Sequence, residues 1–227
     1  MATASDPPVV VKVCGITNEE DARAALDAGA NALGFNFYLK SPRYITPHRA
    51  YQIIAALPGP FLRVGVFVNP TEKELFDISR AVPLDVFQLH GDRCPASYSQ
   101  PYRIWRGIAP TATASSDDPN VEAYLLDTPS SEYGGSGQPF DWTLANNHTC
   151  RIVLAGGLDA ANVAEAIRTV KPWGVDACSR LESSPGKKDA RKVREFVRAA
   201  LLKPLDQRSA PIPTVGAGHA RPTPSKL

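Results

Sequence analysis

Short apolar segments alternate with amphipathic segments along most of the chain. The apolar segments have the length and the β-branched composition of buried strands. They cover residues 9–13, 32–37, 62–68, 85–89, 103–108, 121–126, 151–155 and 173–177. Between them, helical periodicity and capping residues predict helices over residues 18–28, 46–57, 72–81, 160–170 and 189–202. At this length, eight strands alternating with helices favour an α/β fold with a single (β/α)8 (TIM) barrel over an open doubly wound sheet.

The pattern is weaker in five places. A poor helical pattern covers residues 96–100, and a short helix begins near residue 140. Thr, Ser, Asp and Pro predict a loop over residues 109–120. Residues 130–138 are rich in Ser and Gly and predict a mobile loop beside an active site, and residues 178–187 are also predicted to form a loop.

The two ends of the chain differ in composition from the barrel between them. Residues 1–8 have neither a basic start nor an apolar stretch, so we expect a flexible N-terminus without a targeting signal. Residues 203–227 are rich in Pro, Ala, Gly and Ser, which predicts a disordered tail. The predicted domain is therefore residues 9–202.

Composition restricts the possible partners. The net charge is +2 over 227 residues and is spread evenly, so neither nucleic acid nor a membrane surface is an expected partner. No apolar run reaches the roughly 20 residues of a membrane span, and we expect a cytoplasmic protein. The four cysteines lack the paired spacing of a metal site or a redox motif. We therefore expect free thiols and no bound metal.

The strand ends supply the candidate chemistry. In a barrel, residues that directly follow the strands meet at one rim, where active sites lie. Those residues are Cys14, Arg43, Asn69, His90, Asp127, Gly156, Gly157, Cys178 and Ser179. Gly156 and Gly157 precede a helix in a loop where barrels often bind phosphate. The alternative interpretation is that two glycines merely allow a tight turn.

A thiol and a carboxyl on this rim suggest acid–base chemistry on a sugar phosphate. Asp127 follows two leucines, and partial desolvation would raise its pKa toward that of a proton donor. Its alternative role is a helix N-cap, and that of Cys14 is a small buried apolar residue. Arg43 is either a bidentate clamp for a substrate carboxylate or a solvated loop charge. We interpret His90 as mainly structural.

Several motifs together resemble the phosphoribosylanthranilate isomerase family of tryptophan biosynthesis. They are Val-Lys-Val-Cys-Gly-Ile-Thr at 11–17, Ser-Pro-Arg-Tyr-Ile at 41–45, Gly-Val-Phe-Val-Asn at 65–69, Gln-Leu-His-Gly at 88–91, Leu-Leu-Asp at 125–127, Leu-Ala-Gly-Gly-Leu at 154–158 and Gly-Val-Asp at 174–176. The resemblance implies a (β/α)8 barrel without a cofactor that acts on N-(5-phosphoribosyl)anthranilate, as a monomer or homodimer. It also implies substrate contacts from Arg43, Gln88, Gly156, Gly157, Asp176 and Ser179.

The resemblance further implies an Amadori rearrangement. Asp127 would donate a proton to the ribose ring oxygen and open the ring to a Schiff base, and the Cys14 thiolate would remove the proton from C2. These roles require opposite pKa shifts, since the thiol must be ionised and the carboxyl protonated. Burial assists only the acid, and the sequence does not identify the group that assists the base.

One segment departs from the family pattern. Where the family usually has Ser-Ser-Gly after the eighth strand, this chain has Cys178, Ser179 and Arg180. Arg180 either adds charge to the phosphate site or points outward, and it would be unfavourable if the turn required a positive φ.

Two other functions remain as alternatives. One is a phosphosugar isomerase of the duplicated half-barrel type, which resembles this chain less because it carries paired aspartates on strands one and five. The other is a non-catalytic phosphosugar-binding barrel.

Overall fold

A computed structural model describes residues 9–92, 102–112, 120–127, 141–148 and 150–202. Several predictions fall outside these ranges and remain predictions. They are the flexible N-terminus at 1–8, the helix at 96–100, most of the loop at 109–120, the mobile loop at 130–138 and the tail at 203–227.

Eight parallel strands form a closed barrel in sequence order. They are β1 (Val10–Val13), β2 (Ala32–Asn36), β3 (Leu62–Val68), β4 (Val86–His90), β5 (Ile104–Ile108), β6 (Val121–Leu126), β7 (Ile152–Leu154) and β8 (Gly174–Ala177). Each strand pairs with the next, and β8 pairs with β1 to close the ring. The predicted (β/α)8 fold is confirmed, and the apolar segments located every strand to within two residues at either end.

Five α-helices lie within the described residues. They are α1 (Glu19–Asp27), α2 (Pro47–Ala56), α3 (Glu72–Ala81), α4 (Val163–Val170) and α5 (Ala190–Leu201). Four of them begin at a side chain that accepts a hydrogen bond from the first turn, which satisfies donors that the helix itself leaves unpaired. These N-caps are Asn18, Thr46, Thr71 and Asp189.

Helix α4 begins later than the sequence predicted. The predicted start was residue 160, but the first helical residue is Val163. The Asn162 side chain accepts a hydrogen bond from Asp159 N and donates one to the Gly157 carbonyl, both at 2.9 Å. Asn162 therefore organises the turn after β7 and is not part of the first helical turn.

The predicted loop over residues 178–187 is wrong. A 3-10 helix, Ser179–Leu181, is followed by a hairpin of β9 (Glu182–Ser184) and β10 (Lys187–Lys188). Gly186 forms the turn with φ +82°, a conformation that strongly favours glycine. The helix predicted near residue 140 is a 3-10 helix, Trp142–Asn147.

The barrel interior changes from apolar to polar toward the C-terminal ends of the strands. A small apolar cluster fills the lower interior, with Val10, Val86 and the fully buried Trp105 among its members. A larger cluster contains the helix residues and therefore lies between helices and strands. Because alternate strand residues share a face, the positions above Val10 on the interior face are Lys12 and then Cys14. The upper interior can therefore hold a polar site.

The hairpin connects the end of the domain to its beginning. Lys188 N–H donates to Asp21 Oδ2 at 2.7 Å, and Thr17 Oγ1 donates to the Gly186 carbonyl at 2.5 Å. Helices α1 and α5 also approach closely, since a Cβ added to Gly29 would lie 2.9 Å from Leu201 Cδ1. These contacts hold the hairpin against the rim beside β1 and β8.

Candidate active site

One pocket opens at the C-terminal ends of the strands. It encloses about 660 Å³, including space open to solvent, which lies within the usual range for small-molecule sites. All eight of the predicted site residues line it, namely Cys14, Arg43, Gln88, Asp127, Gly156, Gly157, Asp176 and Ser179. His90, Cys178 and Arg180 also line the pocket, whereas Asn69 does not.

A buried ion pair lies below Cys14 and was not predicted. Lys12 Nζ is 2.9 Å from Asp176 Oδ2, and the Lys12 side chain is fully buried. Burial opposes the charge of Lys12, but the Asp176 carboxylate and the Cys14 sulfur more than offset it and raise the pKa of Lys12. A permanent positive charge therefore lies next to the thiol. The only sequence signal was a lysine inside a β-branched strand.

Cys14 forms a hydrogen-bonded pair with Cys178. This hydrogen bond and burial raise the pKa of Cys14, while the charge of Lys12 acts in the opposite direction. The same hydrogen bond, with Lys188 and Arg43 nearby, lowers the pKa of Cys178 to about 7 against the opposing effect of burial. We therefore treat the two thiols as a pair that holds one proton near neutral pH.

Arg43 is fixed by an ion pair and is not a solvated loop charge. Its Nε lies 2.9 Å from Glu182 Oε1 and its Nη2 lies 2.8 Å from Glu182 Oε2, in a side-on bidentate arrangement. Lys188 Nζ contacts the same carboxylate at 3.0 Å. Hydrogen bonding to Arg43 and the charge of Lys188 lower the pKa of Glu182 despite the opposing effect of burial.

The turn after β7 brings two glycines to the pocket. Gly156 and Gly157 have φ values of +84° and +65°, so both adopt a backbone conformation that side chains disfavour. Arg180 lies on the loop after β8, and its Nη1 is 3.2 Å from Asp159 Oδ2. The φ angle of Arg180 is not positive, so its backbone is not strained. Arginine is thus compatible with the turn after β8, and its charge lies at the pocket.

The remaining pocket groups lie on β4, β6 and β8. Gln88 Nε2 is 2.7 Å from His90 Nε2. Burial and the charge of Lys12 lower the pKa of His90 to about 4, so its imidazole is neutral at physiological pH. Asp127 directly follows β6, and its N–H donates to the Ile108 carbonyl. Within the described residues, Gln88 Oε1 and Asp176 Oδ1 are buried and accept no hydrogen bond.

Comparison with known proteins identifies the family. Residues 11–199 match the family described as N-(5'phosphoribosyl)anthranilate (PRA) isomerase. The chain belongs to this family. N-(5'-phosphoribosyl)anthranilate isomerase from Solibacter usitatus is 50% identical over 197 residues, which cover 85% of this chain and 97% of that protein. The Trichlorobacter lovleyi protein of the same name is 47% identical over 201 residues, covering 85% and 98% of the two chains.

Solved structures agree with this assignment. Phosphoribosyl anthranilate isomerase from Thermotoga maritima is 38% identical and superposes with a TM-score of 0.75, covering 85% of this chain and 98% of its own. A second isomerase structure, in complex with reduced 1-(o-carboxyphenylamino)-1-deoxyribulose 5-phosphate, is 35% identical with a TM-score of 0.71 and the same coverage. The resemblance seen in the motifs is therefore confirmed as family membership.

Two features of the described residues bear on binding. No helix there is long and apolar enough to cross a membrane. No group of three His, Cys, Asp or Glu side chains in the same part of the chain is arranged to hold a metal ion.

Proposed function

We propose that this chain is an isomerase that converts N-(5-phosphoribosyl)anthranilate to 1-(2-carboxyphenylamino)-1-deoxyribulose 5-phosphate in tryptophan biosynthesis. The observation that carries the proposal is that the thiol of Cys14 and the carboxyl of Asp127 line the same pocket in a barrel of this family. We also propose a cytoplasmic location, no cofactor, and a monomer or homodimer. The Thermotoga maritima relative is described as dimeric.

The phosphate end of the substrate would lie at the loops after β7 and β8. Gly156 and Gly157 allow the backbone to approach an anion closely, and the N-terminal end of a helix favours negative charge. Ser179 begins the 3-10 helix on the facing loop and would donate a hydrogen bond. The guanidinium of Arg180 adds positive charge at the same rim.

The reaction needs one acid and one base. Asp127 in its protonated form would donate to the ribose ring oxygen, which breaks the ring C1–O bond and leaves a Schiff base. The Cys14 thiolate would then take the proton from C2, and the electron pair would form an enolamine that tautomerises to the ketose. Lys12 supports the negative charge on the thiol pair because its ammonium group is buried nearby, where the low dielectric strengthens the interaction.

Arg43 would bind the anthranilate carboxylate. Glu182 uses Nε and one proton of Nη2, so the end-on pair of donors on Nη1 and Nη2 is left for a second planar carboxylate. The ion pair with Glu182 would hold that pair of donors in a fixed direction. The two acceptors Gln88 Oε1 and Asp176 Oδ1 would receive hydrogen bonds from ribose hydroxyls.

A fluorescence assay tests the proposal. Freshly made phosphoribosylanthranilate should lose its anthranilate fluorescence when the protein is added. Cys14→Ser and Asp127→Asn should each lower kcat by about 10²- to 10⁴-fold, because each removes one proton-transfer group. Cys150→Ser, which alters a thiol outside the pocket, is the matched control. Circular dichroism should show a native fold for all three variants. Tight binding without turnover in the parent protein would contradict the proposal.

A further inference from the structure

Two cysteines lie side by side in the pocket although the proposed reaction needs only one. Cys14 directly follows β1 and Cys178 directly follows β8. The register pairs Val13 with Ala177, and the Cys14 N–H donates to the Ala177 carbonyl at 2.9 Å. The next residues on the two strands, Cys14 and Cys178, are therefore cross-strand neighbours. Adjacent strands lie about 4.8 Å apart, which is within the Cα separation of about 4.4–6.8 Å found in disulfides.

Both side chains of this pair lie on the interior face of the barrel, above the Lys12–Asp176 pair. The two thiols share a hydrogen bond, and both cysteines are free. Both also line the pocket, so a small solute that enters the site can reach them. The spacing of the two strand ends therefore permits an S–S bond between these residues.

Three cations and two carboxylates, Glu182 and Asp176, flank the pair, and their combined effect favours a thiolate on Cys178. Lys188 Nζ lies 3.7 Å from Cys178 Sγ, and the Arg43 side chain is close by. Lys12 is adjacent to Cys14 on the other side. Cys150 provides a contrast, because burial raises its pKa and its side chain packs against the outer apolar cluster. Thiolates react with oxidants much faster than thiols, so this pair is the reactive one among the described cysteines.

We propose that Cys14 and Cys178 form an oxidation site at which a hydroperoxide produces an intramolecular disulfide. The thiolate attacks one peroxide oxygen, the O–O bond breaks, and the departing alkoxide takes a proton to leave as an alcohol, or as water when the oxidant is hydrogen peroxide. The sulfur becomes a sulfenic acid. The neighbouring thiol then attacks this sulfur, the S–O bond breaks, and hydroxide leaves as water with the thiol proton. The two sulfurs together lose two electrons, which the peroxide gains.

The disulfide would inactivate the enzyme, a consequence that rests on the proposed function. A disulfide sulfur cannot accept the C2 proton, so turnover would stop until a thiol reductant regenerates the pair. A serine in place of Cys178 could not form the bond, so the oxidation site depends on this cysteine.

Peptide mapping tests the proposal on the full chain. The reduced protein is treated with hydrogen peroxide, alkylated and digested without reduction, and a parallel sample also contains dimedone, which traps sulfenic acids. We expect a cross-linked peptide joining residues 14 and 178 and a loss of isomerase activity of more than tenfold. Activity loss should match the cross-linked fraction, and dithiothreitol should reverse both.

Single substitutions provide the matched controls. Cys14→Ser and Cys178→Ser should each abolish the cross-link and leave a dimedone adduct on the remaining cysteine, whereas Cys150→Ser should behave like the parent protein. Dimedone adducts on the parent protein without a cross-link, or two thiols that remain free for alkylation after peroxide, would overturn the proposal. If the cross-link forms in a protein that has no isomerase activity even when reduced, the proposed function fails and the oxidation site stands.

Discussion

The ammonium group of Lys12 lies 2.9 Å from the Asp176 carboxylate at a site with almost no access to solvent, one interior position below Cys14. Removing one member of a buried ion pair leaves the other charge uncompensated, which typically costs about 3–5 kcal/mol. We expect Lys12→Met to lower the free energy of unfolding by that amount and Lys12→Met/Asp176→Leu to lower it less. Urea unfolding measures both. Lys73→Met breaks an exposed ion pair with Asp77, and it should change the free energy of unfolding by less than about 1 kcal/mol.

The same substitution should alter the pH dependence of catalysis. The charge of Lys12 favours the thiolate of Cys14, so removal of Lys12 should raise the pKa of Cys14, the proposed base. The acidic limb of the kcat/KM profile should then move to higher pH, and activity on that limb should fall about tenfold for each pH unit of displacement. A profile for Lys12→Met that overlays the parent profile would show that Lys12 does not act on the base.

Arg43 can be tested with a substitution that keeps its charge. Arg43→Lys removes the planar pair of donors, so it should raise KM about 10- to 100-fold, since hydrogen bonds to charged groups contribute roughly 1.5–3 kcal/mol. The effect on kcat should be smaller. Arg103 forms the same side-on arrangement with Glu122 at the opposite end of the barrel. Arg103→Lys should therefore leave KM unchanged, and an equal rise in both variants would rule out a specific role for Arg43.

The proposed phosphate site at the turn after β7 can be tested by adding a single methyl group. Gly157 has φ +65°, and Gly157→Ala should lower the free energy of unfolding by about 1–2 kcal/mol because alanine disfavours this conformation. It should also raise KM, since the added methyl group would crowd the proposed anion site. Gly59 has φ +77° with nothing within 4 Å of an added Cβ. Gly59→Ala should lower the free energy of unfolding by a similar amount and leave KM unchanged. Steady-state kinetics and urea unfolding separate the two effects.

His90 should make stability depend on pH in a defined window. Its pKa is lowered from 6.5 to about 4 on folding, so between these values the unfolded chain binds more protons than the folded chain. The contribution of His90 to stability is complete above pH 6.5 and is lost as the pH falls toward 4, with a slope of at most about 1.4 kcal/mol per pH unit. His90→Asn should remove this part of the slope, whereas substitution of the exposed His48 should not. Urea midpoints measured from pH 4 to 7 test the difference.

The strands could be predicted because each is a short apolar segment. One face of each strand packs in the barrel interior and the other packs against the helices. The hairpin at 182–188 could not be predicted, because its two strands, Glu-Ser-Ser and Lys-Lys, show no alternation of apolar and polar residues. Tertiary contacts with Thr17 and Asp21 stabilise it instead. Gly156 and Gly157 could be assigned to a turn because glycine tolerates the positive φ that both adopt.

Lys12 and Glu182 show where prediction of the site reached its limit. The residues that end strands could be assigned to the rim from topology alone. Lys12 lies inside a strand, and its contact with Asp176 depends on the register between β1 and β8. The bond between Arg43 and Glu182 joins residues 139 positions apart, which no local pattern encodes.

The hairpin that joins both ends of the domain has a consequence for biosynthesis. Lys188 and Asp21, which it brings together, are 167 residues apart in the chain. During translation, the first strand and its thiol leave the ribosome long before the segment that completes their surroundings. A nascent chain therefore holds Cys14 without its cationic neighbours from the hairpin, and the pocket is assembled only when the last βα unit docks. The enzyme can therefore become active only after the whole barrel has been synthesised.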